Sequence, residues 1–378
     1  MHLRSRTVTD AGLLPERLRE VGALLEEGIA DGAFPGAVAL IARGDIVGWH
    51  VARGDAQVVP HHRAATLDTL YDLASVTKVT AALPVALELY HQGRFALDDP
   101  VSSVVPEFTG GERNGVTFRH LLAHTSGLPA WKALYLEASA ADRILAAICR
   151  TPLAARPGAV VEYSDLGIVL LGAALERLGG RRIDELVAEL VVRPLDLTQT
   201  MYTPPESLRN RCAATEVGNT YERDKVGADG AGFPWREQVL CGEVHDGNAH
   251  YGLQGVAPHA GLFSTAWEVA TIALQWLRPG TLVTEATRRE ATSDQRRGAA
   301  GYPRGLGWVL HHDGTFFEAL GPRSFGHTGF TGTSLAVDPD ADLIVVLLTN
   351  RVHFGGSNTK IQDFRLRFHA AAGRAAGR

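Results

Sequence analysis

Tyr71-Asp72-Leu73-Ala74-Ser75-Val76-Thr77-Lys78-Val79-Thr80-Ala81-Ala82-Leu83-Pro84-Val85-Ala86-Leu87 runs from a short extended entry into a segment that is apolar on nearly every side. The pattern predicts a helix from about Ser75 to His91, and a helix apolar all round is a buried one. Pro84 is expected to kink it, because proline lacks the N–H that closes a helical turn. A serine and a lysine three apart lie one turn apart on one face. The Ser75 hydroxyl can then hand its proton to the Lys78 amine, provided the amine is neutral part of the time. Burial lowers a lysine pKa, and the apolar helix supplies burial. Ser75 also opens the helix, where free N–H groups favour developing negative charge.

N-terminal to this stretch, Leu18, Val21, Leu24, Leu25 and Ile29 repeat at helical spacing behind Pro15. A hairpin follows, from Ala37 to Ala42, through Arg43-Gly44-Asp45, then Ile46 to Val51. C-terminal to it, helices are expected at Phe118–Ala123, Ala141–Arg150, Asp165–Leu178 and Ile183–Val192. Residues 204–252 are rich in turn formers and read as long ordered loops. Thr265-Ala266-Trp267-Glu268 has capping-box spacing ahead of a further helix. Strands are expected at Leu306–His311, from Phe325 through Thr333 to Val337, and at Leu343–Thr349, with a closing helix from about Thr359 to Ala372. Strands at both ends and helices between them imply an α/β fold of the α+β type. One antiparallel sheet is built from both termini and flanked by helices, with an all-helical lobe inserted. The expected division is residues 1–74 with 255–378 as the α/β lobe and 75–254 as the mainly helical lobe, the active site lying between them.

Ser-x-x-Lys alone is a weak signal, and a second copy, Ser357-Asn358-Thr359-Lys360, lies beyond the final strand. It reads as a helix start with little chain left to bring partners to it. Tyr163-Ser164-Asp165 precedes a strongly periodic helix. Ser164 or Asp165 can cap that helix, and a phenol near an ammonium can relay protons. Gly326-His327-Thr328-Gly329 is placed at the opening of a strand, where glycines let a substrate lie close to the backbone. Together Ser-x-x-Lys, Tyr-x-Asp and His-Thr-Gly follow the three-box order of serine acyl-enzymes that recognise penicillin.

The chain thus resembles the class C β-lactamase, D-Ala-D-Ala carboxypeptidase and related esterase superfamily over about residues 33–350. Leu121-Leu122-Ala123-His124-Thr125-Ser126-Gly127-Leu128-Pro129, Ala260-Gly261-Leu262-Phe263-Ser264-Thr265 and Gly305-Leu306-Gly307-Trp308 add to the likeness. The resemblance implies a β-lactamase/transpeptidase-like fold and Ser75 as nucleophile, with Lys78 and Tyr163 as its proton network. It implies substrate contacts at Asp165, His327, Thr328, Gly329 and Phe330, and an oxyanion hole from the Ser75 and Phe330 N–H groups. No cofactor and no metal are implied; the partner is a small acyl substrate, most simply an ester. A D-Ala-D-Ala-type amide, a β-lactam, transfer to another acceptor, and non-catalytic ligand binding stand as alternatives. Two positions depart from the usual pattern. Asp165 replaces an asparagine and can pair with Lys78, and His327 replaces a fixed cation with a titrating one.

The 378 residues carry a net charge of −5 with 45% hydrophobic residues, an ordinary globular balance with no basic footprint for nucleic acid. Cys149, Cys212 and Cys241 are widely spaced and suggest neither disulfides nor a zinc knuckle. No run is long and apolar enough to cross a bilayer, and the N-terminus lacks a signal-peptide core, so a cytoplasmic location is expected. His245, His250 and His259 with Asp246 fit no zinc spacing and read as a hydrogen-bonded loop at the rim of the site.

Overall fold

The computed structural model describes residues 2–378. Its strands are β1 (Arg4–Ser5), β2 (Gly36–Arg43), β3 (Ile46–Gln57), β4 (Arg63–Ala64), β5 (Tyr71–Asp72), β6 (Met201–Tyr202), β7 (Ala214–Val217), β8 (Val239–Cys241), β9 (Leu262–Ser264), β10 (Val309–Leu310), β11 (Phe325–Thr328), β12 (Ser334–Asp338) and β13 (Leu343–Thr349). Its helices are α1 (Pro15–Ala30), α2 (Leu83–His91), α3 (Phe118–Leu122), α4 (Ala141–Arg150), α5 (Asp165–Gly179), α6 (Ile183–Val187), α7 (Thr220–Val226), α8 (Ala266–Leu277), α9 (Glu285–Ala291) and α10 (Lys360–Ala375).

The main sheet has eight strands in the order β1-β3-β2-β13-β12-β11-β10, with β4 added against β3. N- and C-terminal halves of the chain meet at its centre, where β13 pairs antiparallel with β2. The edge pair of β1 with β3 is parallel, which makes the sheet mixed. Side chains alternate across a sheet, so each strand serves two faces. Ala37, Ala39, Ile41, Leu343, Val345 and Leu347 pack with Leu18, Val21 and Leu25 of α1 and Phe364 and Phe368 of α10. Val38, Leu40, Ala42, Ile344, Val346 and Leu348 face the other way, toward α8. Covering on both faces explains why β2 and β13 are continuous apolar runs and not alternating ones. The apolar cluster under α8 continues without a break into α2 to α6.

Several elements differ from the expected ones for local reasons. The single strand from Phe325 to Val337 is a hairpin: β11 pairs antiparallel with β12 in a register running from Phe325↔Val337 to Thr328↔Ser334. Gly332, at φ +113°, turns the chain, and Thr331 and Thr333 donate their hydroxyls to Asp72 O and Leu73 O at 2.8 Å. His327-Thr328-Gly329 therefore closes β11 and enters the turn; it does not open a strand. Gly307, at φ +74°, delays the expected 306–311 strand to Val309. Residues 204–252, expected as loops, contain α7 and the β7–β8 pair. Ile183–Val192 is α6 continued by a wide π turn.

The 75–91 segment is helical in three pieces. Ala74–Val76 forms one 3₁₀ turn, Lys78–Ala82 a π turn, and α2 follows. Pro84 offers no N–H to Thr80 O, and the turn ahead of it widens so that Leu83 N–H reaches Lys78 O.

Candidate active site

Ala74, immediately before Ser75, sits at φ +45°, a conformation costly for a residue with a Cβ. It is held there by Asp72, whose Oδ1 accepts the Ala74 N–H at 2.8 Å and whose Oδ2 accepts the His245 N–H at 2.7 Å. The chain leaves the 3₁₀ turn at Thr77 and enters the π turn at Lys78, one turn beyond Ser75 and within contact of it. Lys78 is fully buried. Its Nζ donates to Ser75 Oγ at 2.9 Å and to His259 O at 3.0 Å, and lies 2.7 Å from Asp165 Oδ1. Two accepted hydrogen bonds and a carboxylate oxygen in ion-pair range suit an ammonium. Burial opposes that charge, but the Asp165 and Tyr163 oxygens outweigh it, and the Lys78 pKa is raised.

Ser164 caps α5 by accepting the Gly167 N–H at 3.0 Å, which fixes Tyr163 and Asp165 on either side of it. The Tyr163 ring lies 5.0 Å from Lys78 Nζ and packs on His124 at 4.7 Å between centroids. Its hydroxyl is buried beside Lys78 and Ser75 without an aligned hydrogen bond. Burial raises its pKa against the pull of Lys78, so the phenol is neutral.

His327 ends β11 with Nδ1 2.8 Å from Thr328 O and Nε2 buried without a partner. Burial, then the Lys78 and Arg304 charges, hold its pKa well below the usual histidine range. It is a neutral imidazole, not the titrating cation the sequence suggested. Gly329 is required by crowding: a Cβ there would stand 2.1 Å from Thr333 Oγ1 and 2.4 Å from Leu73 O. Phe330 O is pinned by Arg351 Nε at 2.7 Å, while no hydrogen bond among the described residues uses the Phe330 N–H.

Ser75, Tyr163, Asp165, His327, Thr328, Gly329 and Phe330 all line one cavity of about 740 Å³, with Lys78 behind its wall. Two parts of this surface, and one buried residue behind it, were missed. His124, inside the quoted Leu121–Pro129 segment, accepts the Ser164 N–H on Nδ1 at 3.1 Å and so supports Tyr163. Arg304 lies with its guanidinium 5.5 Å from the Tyr163 ring. It forms no salt bridge or side-chain hydrogen bond among the described residues, and Nη1 is fully buried. Its only signal was an arginine next to Gly305-Leu306-Gly307-Trp308. Ser357 and Thr359 of the second Ser-x-x-Lys copy also reach the cavity, but Lys360 turns away and donates to Asp31 O at 2.6 Å. In the 245–260 loop, His245 pairs with Glu216 and His259 with Asp246, each at 3.0 Å, and the loop forms one wall of the cavity. Among the described residues no three His, Cys, Asp or Glu side chains converge to hold a metal, and no helix is long and apolar enough to cross a membrane.

The "Beta-lactamase" family model matches residues 21–369. An Escherichia coli (strain K12) protein named "Putative D-alanyl-D-alanine carboxypeptidase" is 32% identical over 381 residues, covering 91% of this chain and 84% of that one. The "N-acetylmuramyl-L-alanine amidase" of Bacillus subtilis (strain 168) is 32% identical over 367 residues, covering 89% and 82%. Among solved structures, "EstCE1, a hydrolase with promiscuous acyltransferase activity" superposes with a TM-score of 0.72 at 22% identity, over 93% of this chain and 98% of that one. With its mixed sheet, its helical insertion and a match along nearly its whole length, the chain is a hydrolase belonging to the beta-lactamase family.

Proposed function

We propose that the protein hydrolyses small acyl substrates, most simply esters, through an acyl-enzyme on Ser75. The observation that carries this reading is the Ser75 Oγ–Lys78 Nζ contact of 2.9 Å at the wall of an open cavity. Ser75 attacks the carbonyl, and Lys78 and Tyr163 carry the protons to and from it. The N–H groups of Ser75 and Phe330 receive the oxyanion, a role for which the unused Phe330 amide is suited. Thr328 and Gly329 offer the backbone edge along which the acyl group lies. Incubating the protein with a chromogenic acyl ester, a chromogenic β-lactam and a D-Ala-D-Ala peptide, then weighing it intact and mapping the label, tests the reading. An adduct on Ser75 is expected, with Ser75→Ala lowering turnover by about 10³-fold or more. Unlabelled protein with every donor, or full turnover by Ser75→Ala, overturns it.

A second reading, a carboxypeptidase for D-Ala-D-Ala-type amides, is favoured by Arg304. An unpaired guanidinium beside Tyr163 stands where a leaving group departs, and a carboxylate on that group would satisfy it. The names of the curated relatives point the same way. Arg304→Gln is then expected to raise KM roughly tenfold or more for donors with a free carboxylate on the leaving group. For neutral esters KM should stay as it was.

A further inference from the structure

Lys78 presents a problem that the acyl-enzyme reading leaves open. An ammonium cannot accept the Ser75 proton, and Lys78 is held as an ammonium by the Asp165 carboxylate at 2.7 Å and by hydrogen bonds to Ser75 Oγ and His259 O. One of its N–H bonds must first lose its proton. Of the three acceptors, Ser75 Oγ is the group to be activated and His259 O is an amide carbonyl with no useful basicity. The third is the Asp165 carboxylate, 2.7 Å away, 19% exposed and open to the cavity.

We infer that Asp165 is a catalytic residue, the proton acceptor that empties one N–H bond of Lys78 so that Lys78 can take the Ser75 proton. The inference rests on the acyl-enzyme reading and deepens it. In the forward step a Lys78 Nζ–H bond breaks and an Asp165 Oδ1–H bond forms. The freed Nζ lone pair takes the proton of Ser75 Oγ as Oγ bonds to the carbonyl carbon. Lys78 ends as charged as it began, Asp165 is neutral, and the negative charge rests on the substrate oxygen. On collapse the Tyr163 hydroxyl gives its proton to the leaving group and draws one from Nζ, which draws one back from Asp165. Every proton is returned and no outside reactant is needed. The close contact that raises the Lys78 pKa is thus the contact that carries its proton away.

The charged and titrating groups around this relay come from several elements. Tyr163 precedes α5, Asp246 and His259 lie on the loop beyond Lys78, and Arg304 and His327 lie across Tyr163 on the β10 and β11 side. Burial holds the His327 pKa well below the usual histidine range, and burial also lowers that of Arg304.

The test compares pH–rate profiles of kcat/KM for a neutral chromogenic ester in wild type, Asp165→Asn and Asp165→Glu, alongside the acylation rate of Ser75. Asn keeps the volume but cannot accept a proton. Its rate at pH 7 is expected to fall roughly 100-fold with KM little changed, consistent with loss of an acid–base group. Its residual rate should climb through the alkaline range as Lys78 loses its proton unaided. Glu can again accept a proton and should restore most of the neutral-pH rate. An Asn variant as fast as wild type at pH 7 with an unchanged profile overturns the relay alone. A wild type that never acylates Ser75 overturns the parent reading and the relay with it. Circular dichroism identifies a variant that fails to fold; if Asn does so, Asp165→Glu decides, and a folded Glu variant that does not acylate Ser75 at neutral pH counts against the relay.

Discussion

At the residue scale, Tyr163 shows how far a functional side chain depends on a neighbour that touches no substrate. Its ring lies against His124, and His124 in turn accepts the Ser164 N–H that sets the start of α5. His124 itself sits at φ +56°, and burial keeps its pKa well below the ordinary value, so Nδ1 is free to accept. His124→Phe retains a ring against Tyr163 but leaves the Ser164 N–H buried and unpaired. The expected cost is about 1–3 kcal/mol, read as a lower urea midpoint, together with a lower kcat from a less constrained phenol. Ser75, Lys78 and Tyr163 were legible in the sequence because two are bound by helical spacing and the third by a cap pattern. His124 and Arg304 were not. Their roles come from contacts with Ser164 and Tyr163, 40 and 141 positions away, and no local period encodes such contacts.

At the element scale, the β11–β12 turn acts as a spacer between the sheet and the segment that carries Ser75. Thr331 and Thr333 bond to the carbonyls of Asp72 and Leu73, the residues that lead into the strained Ala74. Gly329 packs so closely there that a methyl group must displace either Thr333 or the Leu73 carbonyl. Gly329→Ala is expected to cost about 1–3 kcal/mol by overpacking. Activity should fall further than stability alone explains, because the shift is passed to Ser75; melting curves and ester turnover measured together check this. β2, β13, α1, α4 and α5 were legible because continuous apolar runs and 3.6-residue periods mark fully or half-buried elements. The turn was not. Residues 325–337 carry three glycines at equal spacing, 326, 329 and 332, and what selects Gly332 as the turn is hydrogen bonding of the flanking threonines to a distant segment.

At the scale of the whole molecule, buried histidines couple the fold to acidity. His369 in α10 lies against Ser334 Oγ at 3.0 Å, and burial, then the Arg365 charge, push its pKa down to about 3. In the unfolded chain it titrates near the ordinary value of about 6.5. Below that pH the unfolded state binds the extra proton, so the stability contributed by neutral His369 is complete above about 6.5 and is lost progressively as pH falls toward about 3. Glu222, pushed up to about 7 by burial and then by the Asp246 charge, runs the opposite way over part of that window. Single substitutions therefore separate the contributions. His369→Gln is expected to lose less stability than wild type between pH 7 and pH 5, measured as the change in urea midpoint.

Helix α10 reaches back to the wall of the cavity. Arg365 of α10 donates through Nη2 to Gly329 O at 2.7 Å and Thr333 O at 2.8 Å, clamping the two ends of the turn. Without residue 365 the two ends of that turn are held only by the β11–β12 pairing and the two threonine hydroxyls. A protease that severed this helix would therefore loosen one rim of the cavity without cutting any strand of the sheet.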